Sequence, residues 1–339
     1  MKPVSNSNAM FAAPHADRWH YLDYRDGKHD REYLEWKYFN FIQKDTAGYL
    51  IYYVFDPEHK FSFSGGRVTA RIMHGGRFYG GIEKVPIGKI EFDTHGAGVQ
   101  MGNASISEKT PYRYLVEGNA AGVSWELEYV QHVPTIESFQ KESIGIFSWE
   151  KFNWLVKMPR AGITGTINIG GVVIPVAATG YSDTNWGEEL PLFSRYEWGQ
   201  FNDEKISLVF GAVYKWGVLW RAYVYAIFGG KIIVFNSDTF RFLDRVSGTD
   251  KKIGLKVPQK TECEAVSGPY KLRWLFAPVQ NDLLTLRIAS FLPKPSVVEQ
   301  ISLYEGVLER DGAVLYRFNG SGFSEYSSRT WFTRPAVEF

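Results

Sequence analysis

The sequence predicts an all-β protein built from two β-sandwich or β-barrel units in tandem. Three observations lead there. Aromatic residues make up 16% of the 339 residues and glycine occurs 33 times, a pairing of side chains that favour pleated surfaces with residues that favour tight turns. Apolar runs are of strand length and separated by Gly-, Pro- or Asn-containing breaks, with no sustained helical period. A short pattern recurs in the same order in both halves.

Along the chain, Met1 to Arg18 is rich in Asn, Ser, Ala and Pro and reads as a mobile N-terminal tail. Strands are expected at Glu35–Phe41, at Tyr49–Phe55 up to the Asp56-Pro57 stop, and at Val68–Met73 before Gly75-Gly76. Arg113–Glu117 and Ser124–Val130 flank Gly118-Asn-Ala-Ala-Gly122 as a hairpin, and Thr164–Ile169 pairs with Val172–Val176 across Gly170-Gly171. The second half continues with Ile206–Tyr214, Val218–Phe228, Lys231–Phe235, Tyr270–Phe276, Leu283–Ala289, Gly306–Glu309 and Ala313–Phe318. Residues Ser296–Tyr304 are expected to form a short helix.

The repeat sets the organisation. Glu35-Trp36-Lys37-Tyr38-Phe39 resembles Glu197-Trp198-Gly199-Gln200-Phe201, and Thr179-Gly180-Tyr181-Ser182-Asp183 resembles Ser321-Gly322-Phe323-Ser324-Glu325. The boundary falls between Trp186 and Glu197, giving a tail over 1–18, a first β domain over 19–190 and a second over 191–339.

Composition excludes several function classes. Lys plus Arg number 38 and Asp plus Glu 37, a net charge of +1, so neither nucleic acid nor an anionic membrane is an expected partner. Cys263 is the one cysteine, so no internal disulfide forms. Trp216–Phe235, the longest apolar tract, is interrupted by Arg221, Gly229-Gly230 and Lys231 and reads as two strands, so no integral membrane segment is expected. Asn103-Ala-Ser105 and Asn319-Gly-Ser321 fit the glycosylation pattern, but no leader precedes Arg18 and the expected compartment is cytoplasmic. No phosphate-cradling, dinucleotide, zincin or nucleophile-elbow motif is present. The seven histidines all precede residue 133 and none stands at metal-ligand spacing. No metal site and no cofactor is expected, and oligomeric state is left open.

The sharpest signature is Gly180-Tyr181-Ser182-Asp183-Thr184-Asn185-Trp186-Gly187. On a strand, Tyr181, Asp183 and Asn185 share one face while Ser182, Thr184 and Trp186 share the other. An acid and an amide beside an aromatic either close a structural corner through backbone amides or present a polar face to a cavity.

With Glu35-Trp36-x-Tyr38-Phe39 before it and Gly320-x-Gly322-Phe323-x-Glu325 after it, this octapeptide resembles the AttH/carotenoid-hydratase family. That family includes hydroxyneurosporene synthase and, more distantly, lipocalin-like Diels–Alderases. The resemblance spans Glu35 to Glu325 and implies two lipocalin-like β domains with a cavity in or between them and no cofactor. The family pattern is Gly-Tyr-His-Asp-His-Asn-Trp-Gly; here Ser182 and Thr184 stand at both histidine positions, so a reaction that moves protons through those histidines does not carry over.

The expected activity is cofactor-independent cyclisation or isomerisation of a polyene or prenyl-bearing intermediate, an apolar small molecule. Asp183 is the first candidate acid, kept protonated by apolar surroundings. Asn185 is a candidate donor to a developing oxyanion, and Glu35 a second acid whose structural alternative is a charge satisfied locally. Tyr38, Tyr181, Trp186, Tyr196 and Trp198 are candidate substrate-binding walls, and Gln200 a further hydrogen-bonding contact. Arg221 is a cation in an apolar strand, expected to face outward. Two rival readings are a hydratase adding water to an isoprenoid alkene and a carrier that does no chemistry.

Overall fold

The computed structural model describes residues 16–21, 33–55, 64–142, 152–187, 195–215, 217–285, 294–330 and 337–338. Strand is the dominant state throughout, in two sheets that share no strand and are antiparallel apart from one short parallel pairing at the end of the chain.

Sheet A begins with β1 (Leu34–Gln43), β2 (Thr46–Phe55), β3 (Gly65–His74) and β4 (Arg77–Val85). It continues with β5 (Ile90–Phe92), β6 (Val99–Met101), β7 (Ala104–Thr110), β8 (Arg113–Ala120) and β9 (Val123–Gln131). It ends with β10 (Ile136–Glu142), β11 (Phe152–Ile169) and β12 (Val172–Gly187). The strand order is 4-3-2-1-12-11-9-8-7-6-5, with β10 paired to β11 outside that path. The sheet curls until β3 and β4 pass beside β6 and β8.

Sheet B comprises β13 (Arg195–Asn202), β14 (Ile206–Lys215), β15 (Val218–Phe228), β16 (Lys231–Phe235) and β17 (Arg241–Asp250). The rest are β18 (Leu255–Ser267), β19 (Tyr270–Thr285), β20 (Lys294–Arg310), β21 (Ala313–Thr330) and β22 (Val337–Glu338). Its order is 16-15-14-13-21-20-19-18-17, with β22 paired to β19, and β16 lies against β18.

Each sheet folds around its own aliphatic and aromatic core, one containing Phe39, Phe41 and Leu127, the other Phe201, Phe210 and Trp274. A third cluster joins the halves: Tyr38, Tyr49, Trp154 and Tyr181 from sheet A pack with Trp198, Tyr223, Ile301 and Phe323 from sheet B.

The repeat has a structural counterpart. The opening strand of each half lies beside a late strand of the same half, β1 against β12 and β13 against β21. The matched glycines sit where those strands crowd. A Cβ on Gly180 would meet the Asn40 carbonyl oxygen at 2.0 Å, and one on Gly322 the Gln200 carbonyl oxygen at 2.3 Å. Only glycine permits that approach.

Three local expectations differ from the structure. Ser296–Tyr304 is not a helix but lies within the long strand β20. The five-residue break at Gly118–Gly122 shortens to a two-residue turn, because Ala121 and Gly122 take φ values of 50° and 79° and let the strands run to Ala120 and from Val123. Tyr270–Phe276 and Leu283 onward form one strand to Thr285, irregular between Pro278 and Gln280, rather than two around a turn; residues 286–289 lie outside the described residues. The expected joint at Gly229-Gly230 is the turn between β15 and β16. Arg221 is half-buried, its guanidinium 4.8 Å from the centre of the Trp220 ring.

The tail expectation also needs correction. Residues 1–15 lie outside the described residues, but Asp17 is 1% exposed and Trp19 fully buried inside sheet A. The Trp19 indole N–H donates to the Ala97 carbonyl at 3.1 Å.

Candidate functional site

Alternation along β1 and β12 sorts the candidate residues onto two faces. Tyr38 pairs with Asp183, and Asn40 with Tyr181; these side chains point toward sheet B. Glu35, Lys37 and Phe39 point the opposite way, into sheet A, as do Ser182, Thr184 and Trp186. Along β13, Tyr196, Trp198 and Gln200 share the face that meets sheet A.

Asp183 is 5% exposed. Its Oδ2 accepts from the Trp154 indole N–H at 2.9 Å and the Tyr181 hydroxyl at 2.8 Å, and its Oδ1 accepts from Asn185 Nδ2 at 3.0 Å. All its hydrogen-bond donors are side chains, so this is not the backbone-satisfied corner that the motif alone permits. Burial pushes the Asp183 carboxyl up to about 7, against the opposing pull of the Tyr181, Trp154 and Asn185 bonds. Two donors converge on Oδ2 and one on Oδ1, so the less crowded Oδ1 is the oxygen on which a proton sits best.

Aromatic rings enclose this group. Trp198 lies 5.1 Å from Tyr181 and 5.6 Å from Tyr38 between ring centres, and Tyr38 lies 6.3 Å from Tyr181. Gln200 is buried and donates to Asn40 Oδ1 at 3.2 Å, while Asn40 donates to the Tyr38 hydroxyl at 3.4 Å. The half-buried Tyr196 donates its hydroxyl to Glu325 Oε1.

Two acids of the second half complete the cluster. Glu299 and Glu325 are register partners on β20 and β21. The Tyr38 hydroxyl donates to Glu299 Oε2 at 3.3 Å across the sheet boundary. Burial and the Glu325 charge hold Glu299 well above the usual carboxylate range. Burial also lifts Glu325 to about 7, and the Asp183 charge adds to that lift. None of the three acids forms an ion pair among the described residues, so burial favours the protonated form of each with no cation to offset it.

The remaining two candidates lie elsewhere. Glu35 is fully buried but accepts from the His20 and Tyr21 backbone N–H groups at 2.9 and 3.0 Å and from the Tyr33 hydroxyl at 2.7 Å. It is the locally satisfied charge. Trp186 stacks on the His20 ring at 3.6 Å, on the face away from Asp183. Sequence reasoning did not single out Trp154, Glu299 or Glu325 as site residues. The signal for Glu325 was present, since it is the repeat counterpart of Asp183.

The buried acid sets a pH dependence. The folded-state value of Asp183, about 7, lies above its ordinary 3.8, so the folded protein binds the extra proton. That contribution is complete below pH 3.8 and lost as pH rises through 7. Asp183→Asn is expected to flatten the decline in unfolding free energy between pH 5 and pH 9 by about 2–3 kcal/mol. Urea titrations of both proteins across that range check it; parallel curves would mean that Asp183 is ionised at neutral pH.

Among the described residues, no group of three or more His, Cys, Asp or Glu side chains is placed to hold a metal ion. No described helix is long and apolar enough to cross a membrane.

No family model matches the sequence, and no curated protein matches it. Solved structures do. An AttH-like protein from Nitrosomonas europaea aligns over 96% of this chain and 99% of its own, at TM-score 0.65 and 16% identity. CghA aligns over 98% and 96%, at TM-score 0.67 and 12% identity. Kievitone hydratase from Nectria haematococca aligns over 96% and 97%, at TM-score 0.61 and 12% identity.

Proposed function

We propose, on the premise of a two-unit lipocalin-like fold shared along nearly its whole length with the AttH-like protein, CghA and kievitone hydratase, that this protein is a cofactor-independent cyclase or isomerase. Its substrate would be a flexible polyene or prenyl-bearing intermediate, folded for intramolecular ring closure. One observation carries the reading: a carboxyl at the seam of two β units, walled by aromatic rings, held by three side-chain donors and poised to be protonated near neutral pH.

Two effects supply the acceleration. Holding a flexible chain in its reactive geometry removes entropy before the chemical step, worth up to roughly 7–11 kcal/mol in well-oriented cases. Tyr38, Tyr181 and Trp198 are the walls that would impose that shape. The second effect is polar. A neutral Asp183 donates its proton, in a hydrogen bond or outright, to a substrate carbonyl, epoxide or alkene, and a matched acid contributes typically 10²–10⁴-fold. Asn185 already uses one N–H on Asp183, so its main work is to hold the acid; its second N–H is the one that can meet a developing oxyanion.

A hydratase is the second reading, favoured by the Glu299–Glu325 pair. Two hydrogen-bonded acids lie beside Asp183, and the one that ionises first would accept the proton of an attacking water; one of the structures with this fold is named a hydratase. Product mass separates the two. Cyclisation of a linear prenyl-bearing substrate leaves the mass unchanged and creates a ring; hydration raises it by one water. Binding without conversion of any such substrate would overturn both and leave a carrier.

A further inference from the structure

Sheet A encloses a second polar cluster, on the faces of β1 and β12 turned away from Asp183, that the proposed reaction does not use. Lys37 and Lys157 are each 1% exposed, inside a barrel lined by Phe39, Leu50, Tyr52 and Leu127. Asp17, equally buried, is the carboxylate between them: its Oδ1 lies 3.5 Å from Lys157 Nζ, its Oδ2 accepts from the Tyr114 hydroxyl, and its backbone carbonyl accepts from Lys37 Nζ. Lys37 Nζ also lies 3.3 Å from Thr184 Oγ1 and 5.0 Å from the centre of the Trp19 ring. Glu35, on the same face, has its carboxylate taken up by His20, Tyr21 and Tyr33. Glu108 faces Lys37 electrostatically, but its Oε2 accepts from the Ala97 backbone N–H at 2.9 Å.

Two buried ammonium groups are costly without anionic partners, and a greasy barrel has no structural need of them. Asp17 reaches them on a segment, residues 16–21, that belongs to no strand and buries Trp19 among the sheet A core. A carboxylate on an inserted segment, met by a phenol and two lysines among apolar side chains, matches a fatty-acid-like molecule in charge and polarity. We propose that the interior of sheet A is a binding site for a carboxylate-headed amphiphile, held closed by the chain's own Asp17 and Trp19 in the ligand's place.

Decanoate, below its micellar concentration, is the probe, with decyltrimethylammonium as the charge-reversed control. Asp17→Asn keeps the shape of the segment and removes its anion. Decanoate is expected to raise the unfolding temperature of this variant at roughly tenfold lower concentration than it needs for the wild type, while the ammonium control has no such effect. Lys157→Met in the Asp17→Asn background is expected to abolish the response. The wild-type chain supplies a readout that does not depend on the variants folding. Displacing the segment frees Arg18, so saturating decanoate is expected to speed tryptic cleavage after Arg18 roughly tenfold. An Asp17→Asn response equal to that of wild type, a response that survives Lys157→Met, or unchanged cleavage at Arg18 with decanoate would each overturn the proposal. None of these measurements involves Asp183 or turnover, so they leave the reaction proposed at the other face untouched.

Discussion

Asp183→Asn is expected to keep substrate affinity within a small factor of wild type and to lower kcat by about 10²–10⁴-fold, the usual contribution of a positioned acid. Asparagine has the same shape as aspartic acid and still offers an oxygen to the Trp154 indole N–H and the Tyr181 hydroxyl, so the aromatic walls should stay in place. What disappears is the acidic proton. A fall in kcat with KM unchanged identifies a group whose interaction strengthens in the transition state. The pH profile adds a second readout. Wild-type turnover should fall as pH rises through about 7, where Asp183 ionises, and the residual activity of the variant should lack that limb. Full turnover by Asp183→Asn would remove this carboxyl from the mechanism and leave shape alone as the source of any rate enhancement.

How far the site was legible follows from strand geometry. The odd residues of Gly180–Gly187 could be placed together because a strand alternates with period two, and Tyr181, Asp183 and Asn185 do share a face and bond to one another. The same alternation placed Trp186 opposite, where it stacks on His20. Glu299 was not legible. Ser296–Tyr304 lies between neighbours that bury both faces, with Val298, Glu299, Gln300, Ile301 and Ser302 all buried. A strand covered on two sides loses its alternation, and apolar residues at 297, 298, 301 and 304 then fall at helical spacing. Trp154 lies on β11 among other apolar residues, and only the pairing of β11 with β12 brings its N–H to Asp183. Asp17 was read from composition as part of a tail; no local pattern records that two distant lysines need its charge.

The halves of the repeat have diverged in a way that bears on function. Gly180 and Gly322 do the same steric work, and Glu35 and Glu197 both turn into their own sheets, one held by backbone amides and the other by Arg195 and Arg245. The acids face the seam, but with different supports. The position of Tyr181 is Phe323 in the second half, which has no hydroxyl to offer Glu325, and the position of Asn185 is Ser327, which bonds the Tyr196 backbone instead. Glu325 takes its phenol from Tyr196 and is hydrogen-bonded to Glu299. One half thus holds a single acid with three side-chain donors, and the other a hydrogen-bonded pair of acids. Under the proposed reaction, Asp183 would be the donor and the Glu299–Glu325 pair a proton reservoir beside it.

Arg71→Met is expected to destabilise the protein by about 3–5 kcal/mol, the cost of leaving one member of a buried ion pair alone. Arg71, on β3 of sheet A, grips Asp282, on β19 of sheet B, through two bonds: Nε to Oδ2 at 2.6 Å and Nη2 to Oδ1 at 2.5 Å. Their side chains are only 8% and 3% exposed. Tyr49 adds a hydroxyl to Asp282 Oδ2 at 2.7 Å, and Arg71 Nη1 donates to the Gly80 carbonyl at 2.8 Å. Without Arg71, Asp282 keeps one phenol and faces a seam that already holds three acids. Its unbalanced charge would push Glu299 up further, since Asp282 already raises it. Replacing both partners together, Arg71→Met with Asp282→Leu, removes the stranded charge and should recover most of the loss, because the net worth of a buried pair is far smaller than the cost of breaking it. Urea unfolding of the two single variants and the double variant gives the coupling directly. If the pair is a main tie between the sheets, the Arg71→Met transition should also split in two, with sheet A and sheet B melting separately. Losses below about 1 kcal/mol, in the range of an exposed ion pair, would mean that the aromatic cluster holds the halves together and the ion pair adds little.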